Sequence, residues 1–173
     1  MLDIRGISSI YRIGHELGEI RANIRQDFAL DVGGINLEGR DGDTLNLPRW
    51  LCQILEKEDL ISTEHEDMMA ELQQAFSKED MADQYELPKL ESNFYIKLKM
   101  AMDSLKGRDL EKAEDLLIQL FRIRRGKIVV IADSVDPAPD ARSHMTVEER
   151  VFYEEIHNIS RQFESQMEVS KSE

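Results

Sequence analysis

The sequence predicts an α+β chain. A small N-terminal β-rich domain over residues 1–61, an antiparallel meander plus a short helix, precedes a larger all-α helical bundle domain over residues 62–173. Two patterns predict this. Between Ile24 and Leu47 apolar residues recur at every second position, interrupted by Gly33-Gly34 and Asp41-Gly42. From Thr63 onward they recur at three- and four-residue steps, in segments separated by proline and glycine.

The first twenty residues carry Ile7, Ile10, Tyr11, Leu17 and Ile20 at helical spacing, but Gly6, Gly14 and Gly18 weaken a helix. They read as a short helix or an irregular lead-in. From Ile24 to Val32 the alternation predicts a half-buried strand, with a Gly33-Gly34 hairpin turn into Ile35–Glu38. Asp41-Gly42 then turns the chain into Thr44–Leu47. So small a sheet needs a helix on it. Pro48 suits a first helical turn, and Trp50, Leu51, Ile54 and Leu55 form the stripe that follows. The domain boundary is expected near Ser62.

In the second domain, Thr63 with Glu66 fits a capping box before Met68, Met69, Leu72, Ala75 and Phe76. Phe94, Tyr95, Leu98, Met102 and Leu105 mark the next helix, ended by Gly107. The stretch Asp109–Asp133 is central, with Asp109 as its expected N-cap. Leu110, Ala113, Leu116, Leu117, Leu120, Ile123, Ile128 and Ile131 would share one broad face of a helix about 37 Å long. Gly126 followed by Ile128-Val129-Val130-Ile131 also fits a turn and a buried strand. Pro137 and Pro139 predict an irregular, mobile loop. Thr146 with Glu149 is a second capping box, opening a helix with Val151, Phe152, Ile156, Ile159, Phe163 and Met167 on its stripe. The final VSKSE is expected to fray.

Composition narrows the function. With 41% hydrophobic and 33% charged residues the chain can bury a core, mainly aliphatic because aromatics make up only 6%. A net charge of −13 argues against a protein that grips duplex DNA, which needs a clustered basic surface. At most weak DNA contact is expected, and protein partners are favoured. No apolar run approaches the ~18–20 residues of a membrane span, and the N-terminus does not read as a secretory signal. A lone Cys52 leaves no internal disulfide or multi-cysteine zinc site, which suits a reducing compartment.

Catalytic motifs do not assemble. His15-Glu16 and His65-Glu66 begin like a zinc-protease helix, but each lacks the second histidine four residues on. Gly33-Gly34 is followed by no Gly-Lys-Ser/Thr. No catalytic, cofactor-binding or metal residue is expected, and the chain reads as non-enzymatic.

Two segments resemble the GINS family of replication-factor subunits. The first, LNLPRWLCQIL, is similar to that family's small-domain motif, in which a strand ends in proline before a tryptophan-leucine helix; Pro48, Trp50 and Leu51 occupy those places. The second, FYIKLKMAM with IQLFRIRRGKIVVIA, resembles the helical-domain motif at Phe94, Tyr95, Arg122, Arg125, Lys127, Ile128 and Ala132. The resemblance covers roughly residues 24 to 133. It departs at Gly126 and in the long acidic segment 62–86. The order of domains and the compact form resemble the archaeal-type class with the small domain first.

The resemblance implies a four-subunit assembly with other GINS subunits, bound to the MCM helicase and a Cdc-type or RecJ-like factor, activating DNA unwinding without cofactor or catalysis. It places the chain at the nucleoid of an archaeal cytoplasm, or in a nucleus if eukaryotic. It also implies that Asp109–Asp133 is helix throughout. Arg122, Arg125 and Lys127 are expected to pair with carboxylates within or between subunits. A different class of function is a small adaptor whose β unit binds peptide or nucleic acid. There Arg25, Arg40 and Arg49 are opposed by Asp27, Asp31, Glu38, Asp41 and Asp43. A hydrolase or transferase with dispersed catalytic residues is a third.

Overall fold

A computed structural model describes residues 4–64, 66–134 and 140–167. They form two compact units: residues 10–66, and residues from 67 onward together with the start of the chain up to Ser9. The first helix, α1 (Ile4–Leu17), crosses that division. It is a regular helix despite its glycines, but it buries none of its residues. Ser8 belongs to the helical unit, where its Oγ donates to Glu148 Oε1 at 2.9 Å.

The smaller unit is built around β1 (Glu19–Ile24), the centre of a three-stranded antiparallel sheet. On one side lies β4 (Thr44–Pro48), with Ala22 opposite Leu45; on the other lies β5 (Ile61–Thr63), with Ala22 opposite Thr63. The hairpin β2 (Phe28–Val32) and β3 (Ile35–Gly39) forms its own two-stranded ladder. Gly33 and Gly34 both hold positive φ, as a two-residue hairpin requires. The simple three-strand meander is thus corrected: β4 pairs with β1, not with β3. The expected strand from Ile24 to Val32 is likewise two strands. Ile24 bonds Asp43 and Gly42 on one side, and Arg25 N donates to Leu60 O on the other, so the chain must turn away before β2.

Helix α2 (Arg49–Lys57) covers this sheet, and Ala22, Ile24, Leu47, Leu51, Cys52, Leu55 and Ile61 form the core between them. Ser62, where the domain boundary is expected, lies inside β5 and pairs with Asn23.

The helical unit contains α3 (Met68–Met81), α4 (Phe94–Met102), α5 (Arg108–Asp133), a 3-10 turn (Ala141–His144) and α6 (Val147–Met167). Two of the predicted caps are corrected. Asp67 caps α3, its Oδ1 accepting from Met69 N and Ala70 N, while Thr63 is held in β5 by Glu56 Oε1. Asp109 lies in the first turn of α5, and Gly107, at φ 58°, takes the cap position.

The segment Gly126–Ile131 is helix, not a turn and strand. Gly126 sits on the exposed side, at a helix-propensity cost of about 1 kcal/mol. The same turn buries Lys127, Ile128 and Ile131, and burial of one such aliphatic side chain already outweighs that cost.

The core of this unit has two parts. Met68, Leu72, Ala75, Leu90, Phe94, Tyr95, Leu98 and Leu120 join α3, α4 and the first half of α5. Leu87, Ile128, Ile131, Ala132, Ala141, Met145 and Tyr153 join its second half to α6. Arg124 meets Glu149, and the Ala132 carbonyl meets His157, so α5 and α6 run parallel with a constant offset. That offset sets the last turns of α6 beyond the end of α5. Pro137, Pro139, His65 and the terminal VSKSE lie outside the described residues.

Candidate functional site

Every third or fourth residue of α5 faces inward, and in the middle of that apolar stripe stands Arg124, fully buried. Its five N–H donors all find acceptors. Nε donates to Glu149 Oε1 at 2.6 Å and Nη2 to Glu149 Oε2 at 2.8 Å, a bidentate fork. Nη1 donates to Glu79 Oε2 at 2.7 Å and to the Pro88 carbonyl at 2.8 Å, and Nη2 also to the His144 carbonyl at 3.1 Å. One turn on, Lys127 Nζ donates to the carbonyls of Glu79 and Ala82 and lies 3.0 Å from Glu79 Oε1, an ion pair too bent for a hydrogen bond.

Glu149 is the counterpart. Its Oε1 also accepts from Tyr95 Oη at 2.7 Å, and its Oε2 from Thr146 N at 3.0 Å. Glu149 N in turn bonds Thr146 Oγ1, so the predicted capping box forms and the same carboxylate fills two roles. Two cations and two carboxylates from α3, α5 and α6 therefore close a neutral cluster, with Tyr95 of α4 bonded to it.

Burial pulls the Arg124 pKa down, but the hydrogen bonds and charge of Glu149, with Glu79, outweigh it and leave it above its ordinary value. The Tyr95 phenol is pushed up, first by burial and then by the charge of Glu149. Folding therefore favours the neutral phenol. That contribution is complete below the unfolded value of about 10 and is lost as pH climbs through it toward the folded value. Tyr95→Phe is expected to cost about 1.5–3 kcal/mol at neutral pH. The gap to wild type should then narrow above about pH 10. Urea melts of both chains across that range check it.

Both cations of the cluster are engaged by buried carboxylates and carbonyls of the same unit. The cluster's effect is to fix how α5 is rotated, and so which residues face out. The outward stripe is Ile118, Phe121, Arg122, Arg125 and Val129, spaced as one helical face. Ile118 and Phe121 are about half exposed, at 47% and 49%. Arg122 and Arg125 are exposed, and neither forms an ion pair among the described residues. On α6, Ile159, Phe163 and Met167 form a second exposed apolar stripe on the part that overhangs α5.

The residues singled out from sequence thus separate. Tyr95 and Lys127 meet in the ion cluster, and Phe94 and Ile128 are core. Arg122 and Arg125 are exposed and form no ion pair among the described residues, which leaves the expected pairing between subunits open to them. Pro48 ends β4 and precedes α2, Leu51 is in the smaller unit's core, and Trp50 is partly exposed. Arg124, Glu79 and the second role of Glu149 were missed. Arg124 was legible, because it stands four residues from both Leu120 and Ile128 on the inward stripe. Glu79 was not, being one acid among many on α3.

No helix among the described residues is long and apolar enough to cross a membrane. No curated protein matches the chain. The family model described as Sld5, GINS complex protein helical bundle domain, matches residues 64–168, which include α3 to α6 and the whole ion cluster. Since that match takes in more than half of the sequence, the chain belongs to the GINS complex protein family.

Proposed function

We propose that this chain is a scaffold subunit, without catalysis of its own, of a four-subunit GINS complex in chromosomal DNA replication. In this reading it belongs to the archaeal-type class whose small β-rich domain precedes the helical domain. The assembly links the MCM helicase to a Cdc-type or RecJ-like factor and so activates unwinding, at the nucleoid or, in a eukaryote, in the nucleus. The family match over residues 64–168 supports the assembly role. The observation that carries the reading onto particular residues is the outward face of α5. It combines exposed Ile118 and Phe121 with Arg122 and Arg125, a mixture that suits a protein interface. With a net charge of −13, two arginines serve a protein partner better than DNA.

Charge reversal tests it. Arg125→Glu is expected to leave the fold intact, because the side chain is exposed, and to weaken assembly with a GINS subunit of the swapped domain order. An unchanged oligomer, measured by light scattering, contradicts the assignment of this face.

A further inference from the structure

An open groove of about 580 Å³ lies between the first halves of α3 and α5. Met69 of α3, Leu105 before α5 and Leu116 of α5 line it with half-buried apolar surface. Along its α5 side stand Asp109, Lys112 and Asp115, all exposed and spaced at three-residue steps. None of these three forms an ion pair among the described residues. By helix geometry they lie roughly a third of a turn around α5 from the stripe of Ile118, Phe121, Arg122 and Arg125. The groove is therefore a separate surface from that face.

The rim reads acid, base, acid above an apolar floor, and that order selects an occupant. A phosphate-bearing ligand would meet two carboxylates. A wholly apolar one would cover three charges and leave them unpaired, which is costly. An occupant that answers all of them has cations at both ends, an acid between, and an apolar side chain against the floor. Asp109 and Asp115 are about 9 Å apart along the helix axis, the rise between residues i and i+6 of a second helix. We propose that this groove docks an amphipathic helical segment of a protein partner. In that segment arginine or lysine at i and i+6 meets Asp109 and Asp115, an acid at i+3 meets Lys112, and apolar residues on the adjoining side rest on Met69, Leu105 and Leu116. The inference goes beyond the assembly role and does not depend on it.

The test titrates the full chain into a fluorescein-labelled, alanine-based helical peptide that carries Arg-x-x-Glu-x-x-Arg with leucines on the adjoining side. Fluorescence anisotropy reads the binding, and saturation is expected. Asp109→Asn with Asp115→Asn should weaken it by about threefold to tenfold, the worth of two exposed ion pairs. Asp109→Lys, Lys112→Glu and Asp115→Lys together invert the rim. That variant should reject this peptide and bind its inverse, Glu-x-x-Lys-x-x-Glu. Gln119→Trp, at an exposed position in the groove wall, should block the peptide by filling its space. Circular dichroism checks that each variant keeps its helices.

No saturable binding overturns the proposal. So does binding that the rim substitutions and Gln119→Trp leave unchanged, since the peptide would then sit elsewhere. Equal affinity for the inverse peptide, or for one with alanine in place of the leucines, overturns it too, because neither the charge order nor the apolar floor would be read. Arg125→Glu should leave the affinity for the peptide as it is. Failure at the groove thus leaves the outward face of α5 standing, and failure of that face leaves the groove.

Discussion

Arg124→Met is expected to lower the stability of the helical unit by about 3–5 kcal/mol. The loss comes less from the attraction removed than from what stays behind. Glu79 and Glu149 are both almost wholly buried, and without the guanidinium only Lys127 faces two carboxylates. The Pro88 and His144 carbonyls lose a donor in the same step. Methionine fills much of the volume, so the cost is electrostatic rather than that of a cavity. Arg124→Lys should recover only part of it, because a single ammonium cannot hold one carboxylate in a fork and reach a second with two carbonyls. Trp50, the one tryptophan, lies in the other unit. Urea denaturation is therefore best followed by far-ultraviolet circular dichroism, which reads the helices.

Glu149→Ala should be as damaging, again about 3–5 kcal/mol from the stranded Arg124, with up to about 2 kcal/mol more from the opened capping box. It also leaves Tyr95 without its acceptor. The two losses should not add. Arg124→Met with Glu149→Ala leaves Glu79 beside Lys127, again a neutral pair, so the double variant should be more stable than the sum of the single costs predicts. Full additivity in that cycle would mean that the residues do not act as one cluster.

The sequence disclosed the elements better than their partners. Periodicity marked the helices, and the capping-box spacing found Thr146 and Glu149 before their contacts were known. What periodicity does not carry is pairing. Nothing in the alternation of Leu45 and Leu47 says that they lie against β1 rather than β3. That choice comes from the Gly42 turn, which returns the chain to Ile24. Nor does a stripe say what covers it. Phe152, Ile156, Ile159, Phe163 and Met167 read as one continuous face, yet the first two are partly buried and the last three stand exposed. The difference is made by the parallel offset of α5 and α6, a tertiary fact. Arg124 was missed for another reason: its spacing from Leu120 and Ile128 marks it as inward, but arginine is so rarely buried that composition argues against that reading.

The most direct test of the assembly role is the mass of the purified chain mixed with the same cell's GINS subunit of swapped domain order, read by light scattering. A stable four-chain complex is the expected result, weakened by Arg125→Glu and unaffected by a substitution at exposed Trp50 in the smaller unit. A mixture in which the two chains keep the masses they have alone would contradict the account at its centre.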